Sequence, residues 1–112
     1  MTAPAAPPPP GPFETLLRDA ALAFPDATEE FPWGHRALKV RGKAFAFLGG
    51  ERGGPLTLSV KLPRTGFQAL ALPFCAPTGY GLGRAGWVTA SLPRSRPRAA
   101  LRDQCLAWLG ES

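Results

Sequence analysis

The stretch LKVRGKAFAFLGGERGGPLTLSVKL, residues 38–62, decides the fold. Its second half alternates without a break: Leu56, Leu58, Val60 and Leu62 fall on one side, Thr57, Ser59 and Lys61 on the other. Period-two alternation marks a strand with one buried and one wet face. The first half holds two shorter runs of the same kind. Leu38 and Val40 alternate with Lys39 and Arg41, Gly42 supplies a tight turn, and Phe45 and Phe47 then alternate with Ala44 and Ala46. Residues 49–54, with glycines around Glu51 and Arg52, form a second turn. The pattern predicts a three-stranded meander with Phe45 and Phe47 in the core and a basic outer face.

Outward from this meander the periodicity changes. Phe13, Leu16, Leu17, Ala20, Ala21 and Phe24 recur at helical spacing, and Pro25 ends the run. Between that helix and the first strand lies a predicted acidic turn in which Asp26, Glu29 and Glu30 are solvated charges. After the meander, Thr65 and Gln68 have capping-box spacing and open a short helix through Leu72, stopped by Pro73. A glycine-rich stretch leads into the strand Trp87 to Leu92, and a further strand is expected around Tyr80 and Leu82. Ser95 is read as the cap of a last helix with Pro97 in its first turn and Leu101, Cys105 and Trp108 as its apolar stripe. Helix, three strands, helix, two strands, helix is an α+β order, α-β-β-β-α-β-β-α: a two-layer fold with helices on one face of an antiparallel sheet.

A chain of 112 residues fits one domain. Residues 1–12 hold prolines and alanines but no charge, and read as a disordered proline-rich arm before a single domain over 13–112. No apolar run approaches the ~20 residues of a membrane span, and no secretory leader is evident, so a cytoplasmic protein is expected. Cys75 and Cys105 have no metal-ligand spacing and read as reduced structural thiols. Charge is unevenly spread. Residues 1–35 carry Arg18 against five acids, whereas residues 36–112 carry twelve basic side chains against Glu51, Asp103 and Glu111. Such asymmetry favours an anionic partner.

No catalytic set emerges. Residues 81–86 spell GxGxxG, but a dinucleotide loop needs a strand before it and a helix after it, and here a strand follows. His35 is the single histidine and has no second ligand or base beside it. Ser59, Ser91 and Ser95 lack a nucleophile elbow. Binding is the chemistry left, with no cofactor or metal implied. Lys39, Arg41, Lys43, Arg52, Lys61 and Arg64 are the candidate phosphate contacts, and Trp33, His35, Lys61, Tyr80 and Trp87 are the candidate lining of an aromatic cleft for a small flat or anionic ligand.

In their order, the motifs resemble the MmcQ/YjbR family. They are Phe31-Pro32-Trp33-Gly34, residues 38–46, Leu58-Ser59-Val60-Lys61, residues 77–83, Trp87-Val88-Thr89 and the final segment from Trp108 to Ser112. The likeness covers residues 13–112. It implies a two-layer fold like that of type III secretion chaperones and loosely like frataxin (CyaY), and a DNA-binding, double-wing label with no catalytic residues to carry across. Two departures stand out: the proline-rich arm, and a chain that stops at Ser112 where relatives continue with a tyrosine and a basic segment. Three functions follow as expectations: weak, sequence-independent binding of DNA or another polyanion through the basic face and hairpin wings; binding of a small molecule in the aromatic cleft; and a chaperone-like protein-binding module.

Overall fold

The computed structural model describes residues 11–31, 36–50, 54–79, 82–95 and 97–112. The proline-rich segment before Gly11 and the residues Trp33, His35, Arg52 and Tyr80 lie outside that set. The element order is α1 (Pro12–Leu22), β1 (Ala27–Glu30), β2 (Arg36–Val40), β3 (Lys43–Gly49), β4 (Leu56–Lys61), α2 (Gly66–Leu70), β5 (Cys75–Pro77), a 3-10 turn (Leu82–Ala85), β6 (Trp87–Leu92) and α3 (Ala99–Glu111). All six strands form one antiparallel sheet in the order β1-β2-β3-β4-β6-β5. The expected α+β order holds, with one strand added at the front.

The sheet's inner face and the three helices share a single core. Leu48, Leu58 and Ala90 form one cross-strand row, Ala46, Val60 and Val88 the next. Phe13, Leu17 and Ala21 of α1, Ala69 of α2, and Cys105, Trp108 and Leu109 of α3 close over them, all at most 3% exposed. Phe13, Leu17 and Ala21 are spaced one helical turn apart, so one stripe of α1 is wholly buried.

Several local readings are corrected. The segment read as an acidic turn is strand β1, paired along its length with β2. On β3 the buried alternating set is Ala46 and Leu48, not Phe45 and Phe47. The register against β2 jumps by one residue at Phe45, because Leu38 faces Ala46 while Lys39 faces Ala44. This bulge turns Phe45 to the helix side with Ala46, where it meets Phe24 edge-on at 5.9 Å. Phe47 is left on the outer face. The β2–β3 turn is the tight one expected. Val40 pairs with Lys43, and Arg41 and Gly42 both take positive φ, the arrangement of a type I′ hairpin turn.

The caps also differ. Thr65 sits at the N-cap of α2, which ends at Leu70 rather than Leu72, but its hydroxyl makes no capping bond. It donates instead to Glu111 Oε1 at 2.7 Å, while Glu111 Oε2 accepts from the backbone N–H groups of Arg64 and Thr65. The last turn of α3 thus caps the distant α2. Ser112 follows suit: its Oγ accepts from the Lys61 N–H at 2.9 Å and donates to the Phe45 carbonyl, bridging β3 and β4 just beyond their last pair, Ala46 and Val60. α3 itself begins at Ala99, with an extended Arg98 before it and no side-chain cap, so Ser95 and Pro97 lie outside the helix. The strand next to β6 is Cys75–Pro77, and Leu82 lies in the 3-10 turn. That turn runs into β6, so no helix follows the glycines. Gly83 is needed for close approach, since a Cβ there would sit 2.8 Å from the Pro77 Cβ.

Candidate functional site

Antiparallel pairing places the outer-face side chains in rows. One row is Ala37, Phe47, Ser59, Thr89 and Ala76; its neighbour holds Lys61 directly opposite Trp87. Phe47 and Trp87 lie 5.5 Å apart between ring centres. Beside them, Ser59 Oγ and Thr89 Oγ1 are hydrogen-bonded at 2.8 Å, and Thr89 Oγ1 and Thr78 Oγ1 at 2.9 Å. Ala37 is 1% exposed yet belongs to this face, opposite Phe47, so the outer face has a small apolar centre of its own. Of the five expected cleft residues, the described structure brings together Lys61 and Trp87. Trp33, His35 and Tyr80 lie outside the described residues. Phe47, Ser59, Thr78 and Thr89 are added; strand alternation put Ser59 on this face, but only the β4–β6 register reveals its partners.

The candidate phosphate contacts are dispersed. Lys39 Nζ is 2.5 Å from Glu30, and Arg41 Nε is 3.5 Å from Asp26. Lys43, opposite Val40, lines a cavity of about 420 Å³ on the helix side with Phe24, Phe45 and Leu109. Arg64 lies in the turn before α2, and Arg52 is outside the described residues. Lys61 is exposed on the outer face.

The strongest electrostatic feature lies elsewhere, at the β1–β2 edge of the inner face. Arg18 of α1 holds Glu29 with two bonds of 2.9 Å, and Arg36 Nη1 donates to the same carboxylate at 2.5 Å. Glu14 of α1 lies 3.4 Å from Arg36 and 3.7 Å from Arg94, whose Nε also donates to the Gly54 carbonyl at 2.7 Å. The Arg36 side chain is 7% exposed, with its guanidinium 4.8 Å from the centre of the Phe31 ring. Hydrogen bonding from Arg18, opposed in part by burial and aided by Arg36, holds the Glu29 carboxyl below the usual range. Glu29 and Glu30 therefore lie on opposite faces of β1 and not in a turn, Glu29 held by two arginines and Glu30, still largely exposed, paired with Lys39. Among the described residues no three His, Cys, Asp or Glu side chains converge as metal ligands. Cys75 and Cys105 are free thiols, and burial pushes Cys105 up to about 12.

The architecture is thus an α+β domain whose helices cover one sheet face and whose other face carries an aromatic, hydroxyl and lysine cluster. The family model described as YjbR matches residues 22–111, and the chain belongs to the YjbR family. No curated protein matches it. The match begins at the last residue of α1, yet α1 is integral to the core through Phe13, Leu17 and Ala21. Among the described residues no helix is long and apolar enough to cross a membrane.

Proposed function

We propose that this chain is a non-catalytic cytoplasmic binding protein that takes a small ligand combining a flat ring with one anionic group on the outer face of its sheet. The observation that carries the reading is Lys61 directly across from Trp87, with Phe47 5.5 Å from the indole. Aromatic faces hold a ring by stacking, and an adjacent ammonium neutralises one charge. A duplex is a poorer match for this surface. Phosphate tracking needs several free cations on one side, and here Lys39 and Arg41 are paired with Glu30 and Asp26 while Lys43 lies on the opposite, helix side of the sheet.

The test is a titration of isotope-labelled protein with phenyl phosphate, followed by NMR, beside a 20-base-pair duplex as competitor reading. Saturable shifts at Phe47, Ser59 and the Trp87 indole, weakened about tenfold in Lys61→Gln, support the proposal. No saturable shift at millimolar phenyl phosphate overturns it. Duplex binding with a log–log salt slope near −4, about four phosphates neutralised, would favour the polyanion reading instead.

A further inference from the structure

The outer-face cluster contains more than a stacking platform and a charge. Ser59, Thr89 and Thr78 form a chain of three hydroxyls joined by two hydrogen bonds, with Thr89 at its centre. Three hydroxyls bring three protons, and two are used in the links. One donor therefore remains; when the links run head to tail it lies at one end of the chain, and the other end presents an acceptor. Turning all three hydroxyl rotors swaps the ends and keeps both links. A surface that offers a donor and an acceptor interchangeably complements a group that is itself both. A ligand hydroxyl is such a group; a carboxylate, which only accepts, is not. The neighbouring row adds Thr57 opposite Ser91, so the polar strip continues along the same face.

Resting on the reading above, we propose that the ligand of this face is a phosphorylated sugar compound of the nucleoside monophosphate class. Its ring lies against Trp87 and Phe47, its phosphate meets Lys61, and its sugar hydroxyls hydrogen-bond to the Ser59–Thr89–Thr78 chain. Thr89 is the specificity-determining residue, because removing its hydroxyl breaks both links at once.

Three probes separate this proposal from the one it rests on: adenosine monophosphate, its 2′,3′-dideoxy analogue and phenyl phosphate. Each is titrated into the full chain and into Thr89→Val, which keeps the β-branched shape suited to a strand. An unchanged thermal midpoint confirms that the variant is folded. In the wild-type chain adenosine monophosphate is expected to bind about five- to tenfold more tightly than the dideoxy analogue, the scale of one or two neutral hydrogen bonds. Thr89→Val is expected to abolish that preference, bringing adenosine monophosphate down to the affinity of its dideoxy analogue. Equal affinity for the two nucleotides in the wild-type chain, or a preference that survives Thr89→Val, overturns the sugar assignment alone. Failure of all three probes to bind removes both proposals. Should Thr89→Val unfold, Ser59→Ala, which severs one end of the chain, is expected to reduce the preference, and no reduction overturns the assignment.

Discussion

Replacing Arg36 by Met probes the ion cluster that joins α1 to the sheet. The Arg36 side chain is 7% exposed, Glu14 14% and Glu29 21%, so the charges left behind are largely out of water. Breaking a buried pair from one side costs about 3–5 kcal/mol, because the remaining charge is stranded. Here two partners survive: Arg18 keeps both its bonds to Glu29, and Arg94 stays near Glu14. The Arg36 Nε also has no hydrogen-bond partner, and its removal relieves a cost. The expected loss at pH 7 is therefore reduced to about 2–3 kcal/mol, or about 10–20 °C in melting midpoint for a domain of this size. The pH dependence carries the sharper signature. Glu29 has a folded-state carboxyl held below its unfolded value, so its contribution is complete above the unfolded value and fades as pH falls through the folded one. With Arg36 gone, less of that depression remains, and the stability gap between wild type and variant should narrow below about pH 4. Urea unfolding followed by circular dichroism at pH 7, 5, 4 and 3 measures it. A loss under about 1 kcal/mol at pH 7, or a gap constant over the whole range, would refute a buried coupled cluster.

Three further outcomes are expected. Glu111→Ala should cost about 1–2 kcal/mol through the lost cap of α2. The three hydrogen bonds on Glu111 outweigh burial and keep its carboxyl low, so in wild type that contribution should fade on acidification; equal urea midpoints for variant and wild type at pH 7 would contradict the cap. Gly110→Ala should stabilise the chain by about 0.5–1 kcal/mol, since a Cβ there meets nothing within 4 Å in the last turn of α3; a lower melting midpoint would show the site is not open helix. Cys105, its thiol pushed up to about 12 by burial, should resist iodoacetamide at pH 8 in the native state and react in urea, and rapid native labelling would contradict its burial.

What the sequence reveals and hides follows from where each strand finds its stabilisation. Leu56, Leu58, Val60 and Leu62 lie in an unbroken alternating frame, so pattern and structure agree. On β3 the bulkiest residues, Phe45 and Phe47, share a parity in sequence but not in the fold: Phe45 packs on the helix side and Phe47 lies on the outer face. One inserted residue at the bulge shifts the frame, and no local signal announces a bulge formed against another strand. β1 escaped detection because Ala27-Thr28-Glu29-Glu30 has no apolar alternation; its inner residue Glu29 is held by arginines instead of by a hydrophobic face. The caps failed in the same way. Thr65 and Ser95 have the right chemistry, but Glu111 takes the first from across the fold, and the last helix starts past the second, after an extended Arg98. For the site, Trp87 and Lys61 were legible as an aromatic and a cation, whereas their pairing and the link from Ser59 to Thr89 and Thr78 depend on strand order.

The charge asymmetry along the chain finds its explanation inside the fold. All five acids of residues 1–35 are ion-paired: Glu14 with Arg36 and Arg94, Asp19 with Arg18, Asp26 with Arg41, Glu29 with Arg18 and Arg36, and Glu30 with Lys39. Four of their five cationic partners come from the basic segment, so the acids of the first part are answered across α1, β1 and β2 while the chain as a whole keeps a net charge of +5. A run of like charge in sequence becomes a basic surface only if the fold leaves it unopposed. Here β1 lies along β2 and sets Glu30 against Lys39, and Asp26 just before it against Arg41, as surface pairs. Among the described residues, Lys61 is the cation beside the Phe47 and Trp87 rings, and the proposal of one anionic group next to a flat ring rests on that geometry.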